Sequence, residues 1–215
     1  MMPRYNLDIG ERIYEEEARK MLDYALSLRK RYIPTLLCSL WITGARSSEL
    51  AQIKKEDISV SEDEVQIRIV TMKRRKGKYT PKKRTLRIKR PKGINADIFL
   101  EKLILRYEQM LPLESLIPRS TSWMLKKMRM LAINSLGKEY SPYHWRHSVC
   151  SWMLENGYTL AEIAEFRGTS IAATIRYLHS KPFLIDPSKQ NRSRNPYKRD
   201  KHGNNNLEHN QSTGY

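Results

Sequence analysis

Two cysteines, Cys38 and Cys150, are too few for a disulfide framework, and neither has the neighbours that metal-ligand spacing requires. Long apolar runs are also missing. The uncharged stretch from Ile33 to Ala45 is too short and too polar to span a bilayer, and the N-terminus has no apolar signal-peptide region. Membrane and secretory classes are therefore not expected, and the chain reads as intracellular. Acidic residues are scarce: 23 Asp and Glu face 40 Lys and Arg, a net charge of +17 on 215 residues. So strong a positive field favours a polyanionic partner, nucleic acid first. No internal repeat is present, which removes solenoids and propellers. What remains is 40% apolar residues, enough for one packed core.

The period of the apolar residues changes twice along the chain. From about Ile9 to Leu50 it is helical, with Ile13, Ala18, Met21, Leu22, Ala25 and Leu28 at three- and four-residue spacing. A second apolar helix is predicted to follow Pro34. From about Asp57 to Lys92 the pattern alternates, with Val65, Ile67 and Ile69 on one face and Leu86 and Ile88 on a later strand, across a turn near Gly77. From about Ala96 helices return. Pro112 and Pro118 bracket a loop, Ser120, Thr121 and Ser122 offer N-caps, and Ser141 with Pro142 starts another helix that Gly157 ends. Thr159 with Glu162 reads as a capping box, and Thr169 or Ser170 caps a last helix. Past Pro182 the composition turns polar and is predicted to be disordered.

Four constellations stand out. Between Lys73 and Lys92 lie twelve Lys or Arg and no acid. Such a ribbon repels itself until phosphates supply counter-charge, although a solvated basic edge that discourages strand pairing has the same composition. The run from Thr43 to Leu50 places Arg46 beside a helix start, where a guanidinium and free amides can cradle a phosphate, with Glu49 on the same face to hold it. The run from Ser141 to Ser148 packs Tyr143, His144, Trp145, Arg146 and His147 into the first turns of one helix, with Tyr143 and Arg146 on one face. The fourth, from Thr169 to His179, carries Tyr177, whose phenol is either a packing group or a nucleophile toward phosphorus.

In this order the four segments resemble the catalytic domain of the tyrosine recombinases. Thr43 to Leu50 is similar to the first arginine box, TGxRxxEL; Arg146-His147-Ser148 resembles the second box; and Ser170 to Tyr177 resembles the segment of the nucleophile. Phage-type and archaeal-virus-type integrases are the nearest likeness. The resemblance implies an α+β fold, mainly helical, with a small three-stranded antiparallel sheet. It places the catalytic domain at residues 9–181, between an N-terminal extension at 1–8 and a polar basic tail at 182–215. It implies that Tyr177 attacks DNA to form a 3'-phosphotyrosyl bond, that Arg46 and Arg146 hold the scissile phosphate, and that a hairpin lysine protonates the leaving 5'-hydroxyl. Lys73 is the first choice for that lysine and Lys76 its rival. His147 would support the second box and Glu49 would buttress the first. Lys73, Arg74, Arg75, Lys76, Lys78, Lys82, Lys83 and Arg84 would contact DNA. No cofactor and no metal are implied, because phosphodiester energy is conserved and arginines neutralise the charge.

Two positions depart from the family pattern. Tyr143 stands where the second box has its first histidine, with His144 one residue out of register, and Phe166-Arg167-Gly168 replaces Leu-Gly-His. Gly168 thus takes the place of a histidine, and the resemblance leaves that supporting role vacant or taken by Arg167 or Thr169. The implied partners are double-stranded DNA and three further copies of the chain in a tetramer, without a membrane. An accessory DNA-bending protein and a separate N-terminal integrase fragment are further candidates, since few residues precede the first helix. Phe183-Leu184-Ile185 would anchor a neighbouring copy or cover its own domain. Two other functions share these residues: relaxation of DNA in the manner of a type IB topoisomerase, and DNA binding by a recombinase-derived protein without catalysis. Neutralising three hairpin cations is expected to flatten the salt dependence of DNA binding by about three units of slope. An unchanged slope would return the ribbon to a solvated edge.

Overall fold

In a computed structural model, residues 12–75, 78–91 and 97–178 are described, with all side chains but those of 72–75, 78–82 and 176–178. The extension 1–8, the tail 182–215 with Phe183-Leu184-Ile185, and Lys76 with Gly77 lie outside the described residues.

The most apolar segment forms the centre. Helix α1 (Glu15–Ser27) buries Ala18, Met21, Leu22 and Ala25, the stripe its spacing sets out, and starts on three glutamates that suit a helix N-terminus. Helix α2 (Tyr32–Thr43) is buried on nearly every side. Its polar residues Thr35, Ser39 and Thr43 fall four apart, and each hydroxyl donates to the carbonyl four residues earlier, at 2.9, 2.7 and 2.5 Å. A hydroxyl stripe can therefore lie inside the core without an orphaned donor. The helix begins at Tyr32 rather than after Pro34; the proline sits in the first turn, where its missing N–H breaks no helical bond. Near the other end, the Trp41 ring packs 5.3 Å from Phe99 and 5.7 Å, edge on, from Trp145.

Those aromatic partners come from helices arranged around α2. They are α4 (Ile98–Glu108) and α6 (Pro142–Glu155). Helix α4 starts on Asp97, whose carboxylate accepts from the amides of Phe99 and Leu100 at 2.9 and 3.0 Å. Helix α5 (Thr121–Leu136) is capped by Ser120, and α7 (Leu160–Arg167) by the Thr159–Glu162 box that the sequence predicts. A single turn, α3 (Ser47–Leu50), follows α2, and α8 (Ile171–Leu178) begins after Ser170, whose hydroxyl accepts from the Ala173 amide.

The sheet has three antiparallel strands in the order β1 (Ile58–Val60), β2 (Glu64–Arg75) and β3 (Lys78–Lys89). Val65 pairs with Ile88 and Ile67 with Leu86, so the alternating apolar residues form one buried face. The β2–β3 ladder runs on to Arg75 opposite Lys78, a ribbon much longer than β1. Along the described part of β3, Leu86 and Ile88 are buried while Lys83, Thr85, Arg87 and Lys89 are exposed. Arg84 shares the parity of the buried residues.

The turn after α2 is fixed sterically. Gly44 has φ +52°, and a Cβ there would lie 2.9 Å from the Phe166 ring. Gly137, which ends α5 at φ +68°, has open space around it. Gly44→Ala is therefore expected to cost about 2–4 kcal/mol, combining left-handed strain with overpacking, and Gly137→Ala about 1–2 kcal/mol from strain alone. Urea denaturation of the two variants checks the difference; equal losses would contradict it.

Candidate active site

Three of the sequence segments converge at the C-terminal end of α2. The Thr43 hydroxyl accepts from the Ala45 amide at 3.1 Å, and the left-handed Gly44 turns the chain so that Arg46 precedes α3. Glu49, in the first turn of α3, reaches back. Its carboxylate accepts from the Arg46 amide at 2.9 Å and from Arg46 Nη1 at 2.7 Å. Glu49 is 1% exposed, whereas 41% of the Arg46 side chain remains open to solvent. The arginine is thus held by its amide and by one guanidinium nitrogen, while much of its side chain stays at the surface.

Strands β2 and β3 add two partners to the same carboxylate. Thr71 Oγ1 donates to Glu49 Oε1 at 2.6 Å, and Arg84 donates through Nη2 to Oε2 at 3.0 Å and through Nη1 to the Thr71 hydroxyl at 2.9 Å. Arg84, grouped by sequence with the DNA-facing cations, instead turns inward, because strand alternation puts it on the face of Leu86 and Ile88; only 7% of its side chain is exposed. Lys83, one residue away, is exposed. Burial alone would push the Glu49 carboxyl up; the bonds and charge of Arg84, then Thr71 and the Arg46 amide, hold it at about 2.

Arg146 enters from α6 and is 3% exposed. Its Nη1 donates to the Gly44 carbonyl at 2.5 Å and its Nη2 to the Arg167 carbonyl at 2.9 Å, so one guanidinium links the turn of the first box to the end of α7. Nη1 also lies 3.8 Å from Glu49 Oε2. Burial, with the neighbouring charges of Arg167 and Arg46, pushes the guanidinium down to about 9, which leaves it cationic at neutral pH.

The rest of the second box divides by helical face. The Tyr143 ring packs 4.2 Å, centroid to centroid, from His147, and Tyr143 is 37% exposed. It lines a shallow groove of about 300 Å³ with Ser47, Thr121, Ser122 and Ser141. His144 faces elsewhere: its Nδ1 accepts from the Ser141 amide at 3.0 Å, so it caps α6. Ser148 ties down the N-terminal segment by accepting from the Ile13 amide at 2.8 Å.

Gly168 ends α7 with φ +63°, and a Cβ on it would lie 3.0 Å from Arg84 Nη1. Of the two residues proposed for the vacant role, Arg167 is fully buried and Thr169 meets the Thr174 hydroxyl at 3.1 Å. Tyr177 stands in the last turn of α8, and Lys73 stands in β2 opposite Thr80. The side chains of Tyr177, Lys73, Arg74, Arg75, Lys78 and Lys82 lie outside the described residues. Among the described residues no group of His, Cys, Asp and Glu is placed to hold a metal ion, and no helix is long and apolar enough to cross a membrane. Sequence reasoning missed Thr71 and the inward role of Arg84; the parity of β3, read back from Leu86 and Ile88, carries the signal for the second.

A three-stranded sheet beside a helical core, with two boxed arginines brought together at one helix end, defines the catalytic-domain fold of the recombinases. The model of the Phage integrase family matches residues 11–182, and the chain belongs to that family. It is 28% identical over 178 residues to the tyrosine recombinase XerA of Pyrococcus horikoshii, a match that covers 80% of this chain and 57% of that protein. The crystal structure of XerA recombinase superposes with a TM-score of 0.61 at 23% identity, covering 80% of this chain and 61% of the other. XerH recombinase bound to its difH substrate gives 0.60 at 18% identity, over 80% and 51%. A lambda integrase dimer bound to a core site gives 0.57 at 14% identity, over 82% and 51%. These likenesses are of fold, and the chain spans little more than half the length of the curated relative.

The shifted carboxyl has a consequence for stability. Because Glu49 is held below its unfolded value of 4.5, its contribution is complete above that value and is lost as pH falls toward about 2. The stability difference between the wild type and Glu49→Gln is expected to narrow by on the order of 3 kcal/mol between pH 5 and pH 2. Urea denaturation across that range measures it; a constant difference would show that Glu49 is not held ionised.

Proposed function

We propose that the protein is a site-specific DNA recombinase of the integrase type, which cleaves and rejoins duplex DNA through a 3'-phosphotyrosyl intermediate. The observation that carries this reading is the excess of guanidinium charge at one point: Arg46, Arg84 and Arg146 all meet the carboxylate of Glu49. Several cations around one buried anion leave a positive site beside the half-exposed Arg46, and a phosphodiester is the anion that fits it. Family membership and the order of the boxes agree with it.

In the reaction, the Tyr177 phenol oxygen attacks the scissile phosphorus and gives up its proton to water. The bond to the 5'-oxygen breaks, and that oxygen takes a proton from a hairpin lysine, Lys73 or its rival Lys76. Arg46 and Arg146 neutralise the charge that gathers on the non-bridging oxygens, while Tyr143 and His147 flank the second of them. Rejoining runs the same steps in reverse with a new 5'-hydroxyl. Four copies acting on two duplex sites inside the host cell would complete strand exchange. The exposed Lys83 and the cations of the β2–β3 ribbon supply phosphate contacts that position the duplex without reading its sequence.

Covalent trapping tests this. Incubated with nicked suicide duplexes from around its own gene, the protein is expected to give a denaturation-resistant adduct that Tyr177→Phe does not give. Arg46→Ala and Arg146→Ala should slow its formation by on the order of 100- to 1,000-fold while binding persists. Salt-sensitive binding without an adduct would favour a binding protein, and relaxation of circular DNA without sequence preference would favour a topoisomerase.

A further inference from the structure

Resting on the recombinase reading, we propose that Arg84 is a positioning residue of the site: from β3 it fills the space left by the absent side chain at position 168, and through Glu49 it orients Arg46. Three observations meet in this residue. A Cβ on Gly168 would lie 3.0 Å from Arg84 Nη1 and 3.2 Å from its Cδ, so the arginine packs tightly against the glycine. The guanidinium grips both oxygens of Glu49, at 3.4 Å to Oε1 and 3.0 Å to Oε2, and Arg46 Nη1 takes Oε1 at 2.7 Å. Its third bond, to the Thr71 hydroxyl at 2.9 Å, fixes it to the strand that carries Lys73 two residues later.

Arg84 therefore joins three segments. It ties the ribbon to the first box through Glu49, and it presses against the turn from which α8 runs to Tyr177. A planar fork with several donors can bridge a carboxylate and a hydroxyl at once, which a lysine ammonium does with less directional control. The space beside position 168 is thus occupied from the sheet. Glycine at 168 leaves room for it: a Cβ there would press on the guanidinium at 3.0 Å and ask it to give by a few tenths of an ångström, and a longer side chain would press harder. Small displacements of groups that orient a catalytic arginine cost rate without costing much affinity.

The test is a double-mutant cycle on Arg84→Met and Gly168→His, with Arg84→Lys as a milder third variant. Three quantities are measured for each: the rate of Tyr177-dependent adduct formation on saturating nicked duplex, the Kd for that duplex, and the midpoint of thermal unfolding. Arg84→Met is expected to slow the adduct by on the order of 100-fold with Kd nearly unchanged, and Arg84→Lys to recover part of the rate. Gly168→His should be strongly damaging when Arg84 is retained and markedly less so when combined with Arg84→Met, the left-handed strain at φ +63° remaining in both. Additive effects at the two positions would overturn the proposal. So would a weaker Kd with an unchanged rate at saturation, which marks a plain phosphate contact. If the wild type gives no adduct, the recombinase reading fails, and the positions are judged on unfolding alone. Additive midpoint shifts would then overturn the contact between them, and non-additive shifts would support it.

Discussion

Glu49 is a carboxylate with almost no contact with water, and a buried charge of that kind persists only when its environment supplies more than water would. Here the supply comes from separate parts of the chain: the Arg46 amide and guanidinium from the turn before α3, the Thr71 hydroxyl from β2, and the Arg84 fork from β3. Arg146 stands at 3.8 Å and is pinned by two backbone carbonyls. Taking away the carboxylate would leave several guanidiniums facing one another in a poorly solvated space. Keeping it orients them and leaves a surplus of positive charge beside the half-exposed Arg46. The same interaction holds the fold and orients the arginines, so the tight turns at Gly44 and Gly168 are part of the candidate site.

The elements were largely legible in the sequence because each is signalled locally. The α1 stripe, the Val65-Ile67 and Leu86-Ile88 alternation, the Ser120 cap and the Thr159–Glu162 box need only neighbours in the chain to be read. Arg46 and Glu49 were legible for the same reason, being three residues apart on one helical turn. His144 shows the reverse situation. By composition it is a candidate for the second box, but its ring serves the Ser141 amide, and only the helical face distinguishes it from His147.

What escaped the sequence joins distant segments. Thr71 meets Glu49 across 22 positions and Arg84 across 35, and no local pattern records either contact. Arg84 was hidden by its setting, one cation in a ribbon of twelve, although strand parity separates it from Lys83 and Arg87. The meaning of Gly168 was hidden as well, since a glycine in place of a histidine looks like a loss until the occupant of the space is seen to be Arg84.

The central claim is that one ionised carboxylate organises the arginines, and a carbon-13 NMR titration of the Glu49 carboxyl, assigned by comparison with Glu49→Gln, tests it most directly. The resonance is expected to titrate at about 2 in the folded protein. A midpoint near the ordinary carboxylate value of 4.5 would mean that Glu49 is not clamped by Arg46 and Arg84, and would contradict the claim.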